Sequence, residues 1–130
     1  MAVDSGASET VIPEQMVTGV PLQPSPASRR GVEYEVANGQ RIPNLGQKTF
    51  AGVTPDGTRR AVTAQVCDVN KGLMSVAKLV DAGHTVIFAR EGSRIIDDTT
   101  GETIPLHQSG GMYMLRMWVP TNPKGLASDF

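Results

Sequence analysis

Cysteine is almost absent: Cys67 stands alone in 130 residues, which excludes an intrachain disulfide and any zinc site built from several thiolates. An excess of charge is missing too, since 12 Lys and Arg face 13 Asp and Glu. A protein that grips a phosphate backbone needs a surplus of cations, so no nucleic-acid partner is expected. No apolar run approaches the roughly 18 residues of a membrane-spanning helix, and no membrane contact is expected. The first residues lack a basic stretch followed by an apolar one. No secretory leader is therefore expected, and the domain reads as intracellular and cytoplasmic. Aromatic residues make up only 5% of a chain that is 39% hydrophobic. With 14 Gly and 9 Pro, that composition fits one turn-rich domain with a modest core.

What the chain does have is a series of short apolar stretches cut by Gly, Pro, Asn and Asp, the pattern of a mostly β domain. Residues 18–31, rich in Pro and Ser, read as a mobile surface loop. Residues 32–36 then alternate polar and apolar, and Asn38-Gly39 predicts a two-residue type I′ turn. That turn pairs Val36 with Arg41, Tyr34 with Pro43 and Val32 with Leu45. It places Val32, Tyr34, Val36, Pro43 and Leu45 on an apolar underside, and Glu33, Glu35, Ile42 and Asn44 on a polar back. A second hairpin is predicted from residues 48–53, through Thr54-Pro55-Asp56-Gly57, to residues 59–69. One short helix is expected, N-capped by Ser75, ending at Ala82 and closed by Gly83. Further strands are predicted over residues 85–89, 94–97, 103–106 and 112–119.

The stretch Val3-Asp4-Ser5-Gly6-Ala7-Ser8 carries the most chemistry. An apolar residue leads into a carboxylate, a small hydroxyl and a glycine, a sequence suited to presenting Asp4 on a tight turn. One carboxylate cannot both activate a water and donate a proton. Two held close enough to share a proton do both, because like charges drive their pKa values apart. No second Asp-Ser-Gly or Asp-Thr-Gly occurs, so the partner carboxylate must come from a second copy of the chain.

With its surroundings, this stretch resembles the retropepsins, the single-domain aspartic proteases of retroviruses and retroelements. The similarity is greatest to the protease region of copia-type retrotransposon polyproteins. Asp4-Ser5-Gly6-Ala7-Ser8 matches the family's D-[ST]-G-A motif and is followed by a short apolar strand, Thr10-Val11-Ile12. The Asn38-Gly39 hairpin falls where the family carries its flap. Leu73-Met74-Ser75-Val76-Ala77-Lys78-Leu79-Val80, then Gly83 and a return strand, is similar to the copia-type N-L-[LI]-S-V-x-x-L segment.

The resemblance implies a closed β-barrel of the acid-protease fold, with one short helix and a flap hairpin, over residues 1–119. Residues 120–130 are expected to form a flexible tail. It implies an aspartic endopeptidase working as a homodimer on an extended polypeptide, its own polyprotein, without metal or other cofactor. Asp4 would be catalytic, with Ser5 and Gly6 in the active-site loop. Ala7 and Ser8, with Ala37, Asn38, Gly39 and Gln40 at the flap tip, would contact the substrate. The chain departs from the family in three ways. Only three residues precede Asp4, where the family has a strand pair; Ser75 stands where viral members carry Gly; and the flap tip has a single Gly. The alternative from another class is an inactive binding or dimerisation module of the same fold.

Other residues have plainer readings. Cys67 with His84 or His107 would make a thiol nucleophile and base, but a lone Cys in an apolar strand reads first as core. His84 is expected to meet the last carbonyls of the helix. Residues 97–102 read as a polar turn rather than a calcium loop. Arg29-Arg30 and Arg59-Arg60 read as solvated surface, and the Met-rich residues 112–119 as a buried strand or an interface.

Overall fold

The computed structural model describes residues 1–119 and 129–130. The chain is mostly β, and among the described residues no helix is long and apolar enough to cross a membrane. A seven-stranded sheet has the order β11 (His107–Ser109), β12 (Met112–Met114), β1 (Ala2–Asp4), β7 (Leu73–Ser75), β2 (Val11–Ile12), β6 (Arg59–Val66), β5 (Gly46–Val53). β8 (His84–Ile87), β9 (Arg94–Asp97) and β10 (Thr103–Pro105) form an antiparallel sheet, and β3 (Glu33–Glu35) pairs with β4 (Arg41–Pro43) as a separate hairpin. Among the described residues the closed barrel expected from the resemblance is not formed. The ladder is open at β11 and β5, and a single bridge between Val53 and Trp118 carries β5 toward the segment after β12.

Strand alternation divides the side chains between two apolar clusters. Val3, Ile12, Val66 and Met74 point into the main core with Val62, Leu79, Ile95 and Ile104. Their sequence neighbours Val11, Cys67 and Leu73 point the other way, into a smaller cluster with Tyr34, Val36 and Ile42. The second hairpin forms, with Val53 opposite Arg59 and the Thr54–Thr58 turn between them, but its return strand ends at Val66 rather than residue 69. Helix α2 (Val76–Asp81) also forms; its Ser75 cap accepts from the Lys78 amide and its Leu79 is fully buried.

Four expectations need correction. The first hairpin is slipped by one residue: Tyr34 faces Ile42 and Glu35 faces Arg41. Its turn is a three-residue loop, with the Gly39 amide donating to the Val36 carbonyl (2.8 Å) and Gly39 at φ +81°. A one-residue slip exchanges the two faces of the second strand, so Ile42 and Asn44 join the underside while Arg41 and Pro43 face outward. Secondly, the Pro-rich stretch is partly built: α1 (Pro26–Arg29) gives a second short helix, closed by a Ser25–Ser28 capping box, and Ser25 is fully buried. Thirdly, Arg60 is 7% exposed rather than solvated; it pairs with Asp97 of β9 (3.2 Å) and Glu102 of the turn after it (3.1 Å). Fourthly, the strand predicted over residues 112–119 stops at Met114, and Trp118 is 66% exposed.

The tail expected at residues 120–130 lies largely outside the described residues. Its end does not hang free: the Asp129 carboxylate accepts from the Ala61 amide (2.7 Å), and Phe130 packs edge-on against His84.

Gly46 sits where the first hairpin joins the main sheet. It has φ +136°, and a Cβ there would meet the Gln23 carbonyl oxygen at 2.4 Å. Strained backbone and a clash with main chain act together, so Gly46→Ala is expected to destabilise the domain by about 2–3 kcal/mol. Urea unfolding checks this: the midpoint should fall while the slope stays constant.

Candidate active site

Three strand ends meet at the site. β1 runs parallel to β7 with Asp4 opposite Ser75, whereas β2 runs antiparallel to β7. Residues 5–10 must therefore arch over the C-terminal end of β7 to join β1 to β2. Asp4 is the first step of that arch, half-buried, on the strand face opposite Val3.

The arch is held from within. The Gly6 amide donates to Asp4 Oδ1 (2.7 Å), and the Ala7 amide reaches the Asp4 carbonyl (3.4 Å). A Cβ at position 6 would lie 3.3 Å from Asp4 Oδ1 and crowd the carboxylate. Farther along, the Ser75 hydroxyl donates to the Ala7 carbonyl (2.7 Å), and the Ser75 amide donates to Thr10 Oγ1 (3.1 Å). Both Thr10 and Ser75 are buried.

Facing the arch is the first hairpin, and between them lies a cleft of about 250 Å³. The arch contributes Asp4, Gly6, Ala7, Ser8 and Glu9; the hairpin contributes Tyr34, Glu35, Val36 and Ile42. Val11, Cys67, Val69 and Leu73 complete an apolar wall. The cleft thus opens into the smaller apolar cluster, with the Asp4, Glu9 and Glu35 residues at its border. Glu9 is tied to Lys78 of α2 (3.3 Å).

The hairpin is anchored at its base by Asn44. Its Nδ2 donates to the Tyr34 hydroxyl (2.9 Å) and to Gln65 Oε1 (2.8 Å), while its Oδ1 accepts from the Gly46 amide (2.8 Å) and the Ser25 hydroxyl (3.2 Å). Burial holds the Tyr34 phenol above its ordinary pKa, an effect that the Asn44 donor partly offsets. Burial also pushes the Cys67 thiol up, and the neighbouring Asp68 carboxylate adds to it. Both effects favour the neutral thiol over a nucleophilic thiolate. Among the described residues no hydrogen bond joins Cys67 to a histidine; His84 Nδ1 instead lies 3.1 Å from the Leu79 carbonyl, at the end of α2 as expected. No group of three or more His, Cys, Asp or Glu side chains among the described residues suits a metal ion.

The residues singled out from the sequence divide between cleft and surroundings. Asp4, Gly6, Ala7 and Ser8 line the cleft, whereas Ser5 is exposed outside its lining. Ala37, Asn38, Gly39 and Gln40 are exposed at the hairpin tip, and the arms rather than the tip border the cleft. Ile42 is not legible as a cleft residue from the sequence, because a two-residue turn at Asn38-Gly39 puts it on the polar back. Ser75 was legible as a helix cap, but its donation to the Ala7 carbonyl was not. Pairings between residues so far apart in sequence leave no local signal. Comparison with known proteins adds no relative: no family model, no curated protein and no solved structure matches this chain.

Proposed function

We propose that the chain is an aspartic endopeptidase of retropepsin type and retroelement origin, with its two catalytic carboxylates supplied by Asp4 of two copies. The observation that carries this reading is the placement of Asp4: on a braced arch, at the edge of an apolar cleft bordered by a hairpin. In a symmetric dimer with the two arches facing, a water sits between the carboxylates. One takes a proton from the water as its oxygen attacks the scissile carbonyl carbon. The other, protonated, gives its proton to the departing amide nitrogen. The apolar wall beside Asp4 accommodates side chains of an extended peptide. By the resemblance, the natural substrate is the parent polyprotein.

The open sheet and the single Asp-Ser-Gly motif per chain favour a second reading, a binding or dimerisation module without chemistry. Sedimentation and cleavage of an unfolded protein, over roughly pH 4 to 7, separate the two. A dimer with pepstatin-sensitive cleavage is the expected result. A folded monomer that cleaves nothing would overturn the protease reading and point to a binding module.

A further inference from the structure

Ser75 is fully buried and uses its hydroxyl twice. As an acceptor it caps α2 through the Lys78 amide (3.2 Å); as a donor it holds the Ala7 carbonyl (2.7 Å). Capping needs only the acceptor, so the donation to Ala7 is a separate function of the same oxygen. The Ser75 main chain is engaged as well, through its amide to Thr10 Oγ1 and its register opposite Asp4. The two ends of the arch and the start of α2 are therefore fastened to one residue. Only the short turn from Asp4 to Ala7 lies between that fastening and the carboxylate.

We propose that Ser75 is a positioning residue, holding the Asp4 carboxylate in its working orientation through the Ala7 carbonyl; its effect on catalysis rests on the protease reading above. Without the donor, the Ala7 carbonyl loses its partner and the arch gains alternative conformations. The carboxylate then spends less time where a second one can share its proton. The apolar wall of Val11, Cys67, Val69 and Leu73 and the hairpin arms opposite it make no bond to the Ser75 hydroxyl, so binding against that wall is little changed.

The test compares the wild-type chain with Ser75→Ala, Ser75→Thr and Thr54→Ala, using amide hydrogen exchange and cleavage kinetics. Thr54→Ala removes hydroxyl bonds from the remote β5–β6 turn and serves as a destabilised control. In Ser75→Ala the Gly6 and Ala7 amides should exchange about 10-fold faster relative to those of β5 and β6. The turnover number should fall about 10- to 100-fold with KM changed less than about 2-fold. Ser75→Thr, which keeps donor and acceptor, should restore both quantities, and Thr54→Ala should leave kcat unchanged. Should Ser75→Ala fail to fold, Ser75→Gly removes the same donor and retains a tolerable helix cap.

Unchanged exchange at Gly6 and Ala7 would overturn the role of Ser75. So would a loss of kcat matched by Thr54→Ala. Faster exchange in a chain whose wild type cleaves nothing would keep the brace and remove the protease reading instead.

Discussion

On the protease reading, Asp4→Asn should abolish peptide cleavage, a loss of about 10,000-fold or more, while leaving the fold and the proposed dimer intact. The substitution is nearly isosteric, and its amide oxygen still accepts from the Gly6 amide as Asp4 Oδ1 does at 2.7 Å. The arch geometry is therefore retained, and only the capacity to exchange a proton with water is lost. A second expectation follows from having one such residue per chain. Equal mixtures of wild-type and variant chains, allowed to exchange partners, should retain about one quarter of the activity, because only wild-type pairs carry two carboxylates. Retention of about one half would mean that each copy works by itself, and the shared dyad would be wrong. Cleavage by the pure variant would remove Asp4 from the mechanism altogether.

Asn44→Leu should be the most damaging substitution outside the main core, at about 3–5 kcal/mol. Volume is roughly kept, so the effect comes from hydrogen bonding. Four bonds disappear, and the Gly46 amide and Ser25 hydroxyl are left in a buried setting without their Asn44 partner. The loss is also directional. This amide links Tyr34 on the hairpin to Gln65 on β6, so removing it loosens the hairpin from the sheet before the sheet itself unfolds. Hydrogen exchange should show amides of β3 and β4 losing protection ahead of those of β6. Uniform loss across both would mean that Asn44 stabilises the domain without specifically anchoring the hairpin. If the cleft binds peptide, the same variant should raise KM more than it lowers kcat, since the hairpin contributes wall rather than carboxylate.

The two predictions fall on opposite sides of the line between local and non-local information. Asp4 and Gly6 are adjacent in the chain, and a small-residue turn after an apolar strand announces itself whatever the remaining residues do. Helix α2 is likewise local: a Ser cap, an apolar stripe and a terminal Gly all fall within nine residues, Ser75 to Gly83. The Thr54–Thr58 turn was equally plain, because Pro and Gly occupy the positions that such turns require.

Where two local solutions competed, the chain alone was ambiguous. Asn38-Gly39 suits a two-residue turn, but a three-residue turn with Gly39 at positive φ brings Ile42 beneath the hairpin and Asn44 to its four partners. Burial of Ile42 and satisfaction of Asn44 outweigh the turn preference, and both depend on residues elsewhere. Arg60 tells the same story: beside Arg59 it reads as surface charge, until β9 and the turn after it bring Asp97 and Glu102 within 3.2 Å.

The sequence by itself therefore determined the mostly β character, the helix, the second hairpin and the carboxylate-bearing turn, because each is settled by neighbours in the chain. Tertiary structure alone decided the hairpin register, the open sheet and the fastening of the arch to Ser75. In each of these the winning interaction joins segments far apart in the chain, as Asn44 joins Gln65 and Ser75 joins Ala7.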